Sequence, residues 1–173
     1  PYRPIPCEWP RAITIDPHEE KPTAVQWTAE DFESNMYVYR ELLLAADVEE
    51  ICKQIRSSSV GENIEVILMD ESSSKSSTLR GQGRLVDEFK KHLPGIILCS
   101  NANKDAGRNM IAEAVKNRPG KGPKLYVMDN CPHSDHQFKN YSYKPPTRSG
   151  EDRKKAAIAV IIGVVGQGEQ GDG

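Results

Sequence analysis

Two carboxylates stand where this chain could do chemistry. The stretch Ala12-Ile13-Thr14-Ile15-Asp16-Pro17-His18 is an apolar run that ends on an acid and is closed at once by a proline. About fifty residues on, Val66-Ile67-Leu68-Met69-Asp70-Glu71 also ends on an acid. A strand fixes such a residue and the turn after it opens it to solvent. Two of these ends side by side in one sheet offer hard oxygen ligands for divalent cations.

The elements that would hold them follow from periodicity. Residues 11–16, 23–28 and 35–42 are rich in β-branched and aromatic residues and are separated by turn formers, which predicts an antiparallel three-strand meander. From Val48 the period becomes helical, with Val48, Ile51, Cys52 and Ile55 on one face. Acids at 47, 49 and 50 and cations at 53 and 56 suit the dipole of a helix about ten residues long. Ile64 to Asp70 is the fourth strand, and its unbroken apolar centre predicts a central strand buried on both faces.

The polar run from Glu71 to Thr78 then reads as a loop above the strand's carboxyl end, the usual place for chemistry in open α/β sheets. A helix near 79–92, a strand at 95–99, a helix at 105–117, a strand at 125–128 and helices near 130–141 and 151–165 complete an alternating α/β half.

With 173 residues, 37% hydrophobic and 28% charged, the chain fits one globular domain. Residues 1–10 read as an extended proline-rich linker from an upstream domain, 11–165 as the folded domain and the glycine-rich 166–173 as a disordered tail. The net charge of -2 hides an asymmetry. Residues 1–100 carry 11 Lys/Arg against 17 Asp/Glu, and residues 101–173 carry 12 against 8, which makes the second half the polyanion-binding candidate.

Cys7, Cys52, Cys99 and Cys131 are far apart and match no zinc-site spacing, so they read as reduced thiols. The only long apolar run, Ala156 to Val165, is too short to span a bilayer, and a soluble intracellular protein is expected.

Three strands, a helix, then alternating strands and helices, with acids ending the first and fourth strands, resembles the ribonuclease H-like fold: a mixed central sheet flanked by helices. Over residues 11–155 the resemblance narrows to the nuclease domain of the large terminase subunit of tailed bacteriophages. Its short signatures occur here in order: Ile15-Asp16-Pro17 with Lys21-Pro22, Tyr37-Val38-Tyr39-Arg40-Glu41, and Met69-Asp70 with its serine-rich loop. Asn103-Lys104-Asp105-Ala106-Gly107 follows, then Leu125-Tyr126-Val127 through Asn130-Cys131-Pro132 to Phe138-Lys139-Asn140-Tyr141.

The resemblance implies a metal-dependent endonuclease that cleaves double-stranded concatemeric viral DNA during genome packaging. It would act in the cytoplasm of the infected bacterial host, with no membrane association. The implied cofactors are two divalent cations, Mg²⁺ or Mn²⁺. Phosphodiester hydrolysis must activate water and stabilise a leaving alkoxide, and two cations roughly 3.5–4 Å apart serve both needs. Asp16 would bridge the ions and Asp70 would bind one. The implied partners are an amino-terminal packaging ATPase domain, the capsid portal and the small terminase subunit. No G-x-x-x-x-G-K-[ST] phosphate loop occurs in this sequence.

The third metal ligand of that family lies on the last helix, and here the sequence departs from the pattern. If Glu151-Asp152 occupies the place of the paired acids, Asp152 is the ligand. If those acids belong near Ala156-Ala157, this chain has none there, and Glu71 beside Asp70 is the substitute. Two rivals follow: another ribonuclease H-like nuclease, such as a junction resolvase or RNA–DNA hybrid cutter, and a degenerate non-catalytic domain that binds DNA or a portal.

Lys104, Arg108, Lys116, Arg118, Lys121 and Lys124 cluster, followed by Lys139, Lys144, Arg148, Arg153, Lys154 and Lys155. Within these, Lys104, Arg108, Lys121, Lys124, Lys144 and Arg148, with Lys75 in the serine-rich loop, are the DNA-backbone candidates. Phosphate contacts carry little sequence information. His133 and His136 read as surface residues and His18 as an outer partner of the acids. Trp9, Trp27, Tyr37 and Tyr39 read as core and edge packing.

Overall fold

A computed structural model describes residues 4–18, 21–71, 84–99 and 104–140. The meander appears as β1 (Arg11–Asp16), β2 (Thr23–Glu30) and β3 (Met36–Leu44). It is followed by α1 (Val48–Ser58), β4 (Ile64–Asp70), α2 (Leu85–His92), β5 (Ile96–Cys99), α3 (Lys104–Ala114), β6 (Leu125–Val127) and α4 (Pro132–Asn140). The expected last helix at 151–165 and the start of the helix at 79–92 lie outside the described residues.

These elements make one six-stranded sheet in the order β5-β4-β1-β2-β3-β6. β2 runs antiparallel to both its neighbours, whereas β4 is parallel to β1, β5 to β4 and β6 to β3. The sheet is therefore mixed, as the sequence predicts. β4 has a strand on each side but stands one place from the edge, and only its last residues, Leu68, Met69 and Asp70, are buried. Its apolar run reflects pairing and partial cover rather than a position in the middle of the sheet.

On one face Ile13, Ile15, Val25, Trp27, Ala29 and Met69 meet Ile51, Cys52 and Ile55 of α1 and Val86 and Phe89 of α2. Each large side chain sealed there contributes on the order of 2 kcal/mol. Asp47 caps α1, its carboxylate accepting the Glu50 N–H at 2.9 Å, and Glu49 and Glu50 occupy the positive first turn. A smaller core on the opposite face joins Met36, Val38, Leu125 and Cys131 to Phe138 of α4 and Ala114 of α3.

At the end where β1 and β4 begin, Glu62 receives hydrogen bonds from Arg40 at 2.8 and 3.2 Å and from the Tyr39 hydroxyl at 2.8 Å. Arg11 pairs with the same carboxylate at 3.3 Å while also donating to the Ile5 and Pro6 carbonyls at 3.1 Å. Ile5 and Trp9 pack against the larger core, so the segment ahead of β1 lies along the sheet. Among the described residues no helix is long and apolar enough to cross a membrane.

Candidate metal centre

Side chains alternate along a strand, so Ile13 and Ile15 face the larger core and Thr14 and Asp16 face the other way. β1 and β4 run parallel with Thr14 opposite Leu68 and Ile15 opposite Met69. One step further stand Asp16 and Asp70, on adjacent strands and on one face. β5 extends the row, because Cys99 is the Cα partner of Asp70.

Electrostatics reports the same closeness. Burial first, and then the charge of Asp70, push the Asp16 carboxyl up to about 6, against a smaller opposing pull from His18. Asp70 is only 7% exposed. The Cys99 thiol is likewise raised, by burial and then by Asp70. Two carboxylates crowded into a half-buried strand end repel one another, and a divalent cation between them relieves both repulsion and lost hydration. The donor set consists of hard oxygens, which suits Mg²⁺ or Mn²⁺.

Beside the acids the same face carries a helix clamp. Gln26 pairs with Thr14 on one side and Glu41 on the other. The Glu41 carboxylate accepts the His133 and Ser134 N–H groups at 2.8 Å and the Ser134 hydroxyl at 2.7 Å. Gln26 donates to that hydroxyl at 2.7 Å, and Ser134 is 2% exposed. Glu41 thus satisfies the orphan amides at the start of α4 and seats the helix on the acid-bearing face. Sequence reading missed this role. Pro132 marks a helix start, but the capping acid lies 92 residues away from His133 along the chain.

The other sequence candidates divide by place. Glu71 follows Asp70 and is exposed. Arg108 is half-buried on α3, the helix that Lys104 opens five residues after Cys99. Lys121 and Lys124 stand apart from the acids. The Met36 N–H donates to the Lys124 carbonyl, placing that turn at the start of β3, whereas Asp16 is level with Ala24 and, through it, with Leu43 at the strand's other end. Lys75, Lys144, Arg148 and Asp152 lie outside the described residues. Among the described residues no group of three His, Cys, Asp or Glu side chains is arranged to hold a metal ion.

No family model matches the sequence, and no curated protein matches it. Solved structures do. The P22 large terminase nuclease domain superposes with a TM-score of 0.66 at 9% identity, over 94% of this chain and 83% of that one. This chain has the ribonuclease H-like fold of large terminase nuclease domains. The large terminase nuclease of thermophilic phage G20c matches at 0.56 and 10% identity, over 88% of this chain and 81% of that one. A large terminase from another thermophilic bacteriophage, solved in complex with ADP, matches at 0.72 and 12% identity over 98% of this chain. The matched region is 42% of that longer terminase chain.

Proposed function

We propose that this domain is a metal-dependent endonuclease that hydrolyses phosphodiester bonds of double-stranded DNA, cutting concatemeric viral DNA as a genome is packaged. One observation carries the reading: Asp16 and Asp70 end neighbouring parallel strands on one face of a sheet whose fold is that of terminase nucleases. Asp16 and Asp70 would hold the cations, with Asp152 supplying the third carboxylate. Bound there, Mg²⁺ or Mn²⁺ supplies the Lewis acidity that phosphodiester hydrolysis requires.

The chain's own residues do the rest. β1 and β4 fix the separation of the two carboxylates, so little reorganisation is needed on loading. Burial of Asp70 keeps water from competing for its oxygens. Lys104 and Arg108, at the start of α3, are the cations best placed along the chain to meet the DNA backbone near the acids, joined by Lys75, Lys144 and Arg148. An ATPase domain, a portal and a small terminase subunit would be its partners in the packaging machine.

The test is plasmid cleavage with Mn²⁺ by the purified chain and by Asp16→Ala and Asp70→Ala. Outer-shell partners of a metal typically matter by 10–100-fold, so loss of a ligand should reduce cutting by at least about a hundredfold. A parent chain that leaves plasmid intact, or an Asp16→Ala variant that cuts as fast as the parent, rejects the proposal.

A further inference from the structure

The end of the sheet remote from the acids gathers rings and cations that the metal centre does not use. Tyr37 of β3 and Tyr126 of β6 are Cα partners, with ring centroids 5.0 Å apart and planes inclined by 11°. Trp9 continues the row, 5.0 Å from Tyr37 at 33°. All three rings are partly exposed. Pairing across strands brings rings together in this way, and among the described residues β6 is the last strand on its side of the sheet, so Tyr126 stands outermost of the three.

The turn beside them is rigid. Asp31 accepts the Glu33 and Asn35 backbone N–H groups at 2.9 and 2.8 Å, the Asn35 side chain at 2.9 Å and the Tyr37 hydroxyl at 3.0 Å. That turn presents Phe32 at 84% exposure. Single exposed apolar residues are common on proteins. A phenylalanine held out by a self-bonded turn, next to a row of three rings, is a different case, because the backbone that could fold it back is fixed.

Cations complete the surface. Residues 118–124, Arg-Pro-Gly-Lys-Gly-Pro-Lys, contain three cations and no acid. Arg118 leans toward Glu113 at 3.3 Å, while Lys121 and Lys124 are exposed. Gly120 and Gly122 adopt φ of 77° and 66°, a region closed to most side chains, and any Cβ on Gly122 would sit 3.6 Å from the Tyr126 hydroxyl. The glycines therefore let the basic turn lie close against the outermost ring. Of the acids nearby, Asp31 is occupied by its own turn and Glu113 by Arg118 and Lys116, which leaves Lys121 and Lys124 as the turn's exposed cations.

We propose that this surface binds single-stranded nucleic acid, with bases stacking on Tyr126, Trp9 and Phe32, Tyr37 holding the first two rings in line between them, and phosphates meeting Lys121 and Lys124. Every base has a π-face, so such binding is indifferent to sequence, but a duplex hides those faces within its own stack. Tyr37 lies six residues along β3 from Leu43, the residue level with Asp16, and on the opposite face. That is roughly 17–20 Å at about 3.4 Å per residue, so the surface is separate from the metal centre and depends on neither acid.

The test uses the full chain in EDTA, so that metal-dependent cutting cannot interfere, with an oligothymidylate of about a dozen nucleotides. Trp27 is fully buried, so Trp9 is the tryptophan able to report contact by fluorescence. Saturable quenching is expected, with affinity weakened about tenfold by Tyr126→Ala and by the pair K121E/K124E. Because Tyr126→Ala removes an aromatic contact between strands, Phe32→Ala serves as the variant that cannot disturb the core, and it too should weaken binding. Absence of saturable quenching, or affinity unchanged in both Phe32→Ala and K121E/K124E, overturns the proposal. Equal binding of a duplex of the same length rejects the single-strand assignment. A chain that binds the oligonucleotide yet never cuts plasmid refutes the metal reading and leaves this one standing; a chain that cuts but does not quench does the reverse.

Discussion

Asp16 stands one register step past the Ile15–Met69 pair, beside Asp70 on the adjacent parallel strand, and the charge of Asp70 is the second cause, after burial, of a carboxyl raised to about 6. The consequence for stability has a definite sign. The ordinary Asp value is 3.8, so the fold favours the neutral acid. Relative stability is fully present below pH 3.8 and is lost as the pH rises through about 6. Without metal, ionised Asp16 costs the fold at most about 3 kcal/mol at neutral pH. Asp16→Asn removes that cost. In EDTA at pH 7.5 the variant should melt higher than the parent by up to about 6–12 °C, and the gap should shrink as the pH falls toward 4. Mn²⁺ should raise the parent's melting temperature and leave the variant's nearly unchanged. Thermal melts by circular dichroism read all three; an Asp16→Asn variant that melts no higher than the parent at pH 7.5 in EDTA contradicts the crowding of the two acids.

Glu41 should matter to the seating of α4 rather than to metal loading. Its carboxylate takes two backbone amides and one hydroxyl from the first turn of that helix. Caps of this kind are worth about 0.5–2 kcal/mol, and hydrogen bonds to a charged group about 1.5–3. Glu41→Ala should therefore destabilise the domain by about 2–4 kcal/mol in urea denaturation, and Glu41→Gln by roughly half as much, since the amide still accepts but carries no charge. Mn²⁺ affinity measured by calorimetry on folded protein should be unchanged. A Glu41→Ala domain as stable as the parent would show that α4 is held by Phe138 and Cys131 alone.

The buried cluster around Glu62 makes the third prediction. Arg11, 7% exposed, pairs with this carboxylate, and Arg40 and Tyr39 bond it too. Removing one partner of a buried ion pair leaves the other charge stranded and typically costs about 3–5 kcal/mol. Glu62→Ala should accordingly lower the urea midpoint sharply. The double variant Arg11→Met/Glu62→Met should recover part of the loss, because it strands no charge from the first pair. If the double variant is less stable than Glu62→Ala, the cluster stabilises by attraction rather than by avoiding an unpaired ion.

What could be read from the sequence follows the range of each signal. That Asp16 and Asp70 end strands is legible because strand periodicity and the residue that breaks it are local. The helix over Val48–Ser58 was legible for the same reason, its period, its cap and its dipole charges all lying within a dozen residues. The place of β4 in the sheet is not legible, because an apolar run reports cover and not strand order; among the described strands only β5 lies outside it. Glu41 was visible only as part of a short signature, since its partners lie on an element brought over β3 by the chain from Met128 to Cys131. The basic residues between 104 and 124 read as one cluster because they are close in sequence. Folding parts them along the chain: α3 starts five residues after Cys99 of β5, whereas the loop after α3 delivers Lys121 and Lys124 to the start of β3.

The last prediction concerns the third carboxylate. Glu71 lies one residue past the end of β4 and is exposed, so no strand pairing sets it beside Asp16 as pairing sets Asp70. Of the two ways to align the terminase-like signatures, the one that sets Glu151-Asp152 in the place of the paired acids makes Asp152 the proposed third ligand. Asp152→Ala should therefore reduce Mn²⁺-dependent plasmid cutting by about a hundredfold or more and weaken Mn²⁺ binding, while Glu71→Ala stays within a few fold of the parent. Calorimetric titration with Mn²⁺, run beside the cleavage assay on both variants, separates lost metal from lost DNA contact. If Glu71→Ala is the inactive variant and Asp152→Ala cuts normally, the cation sits on the loop side of β4, and the third ligand is local to Asp70.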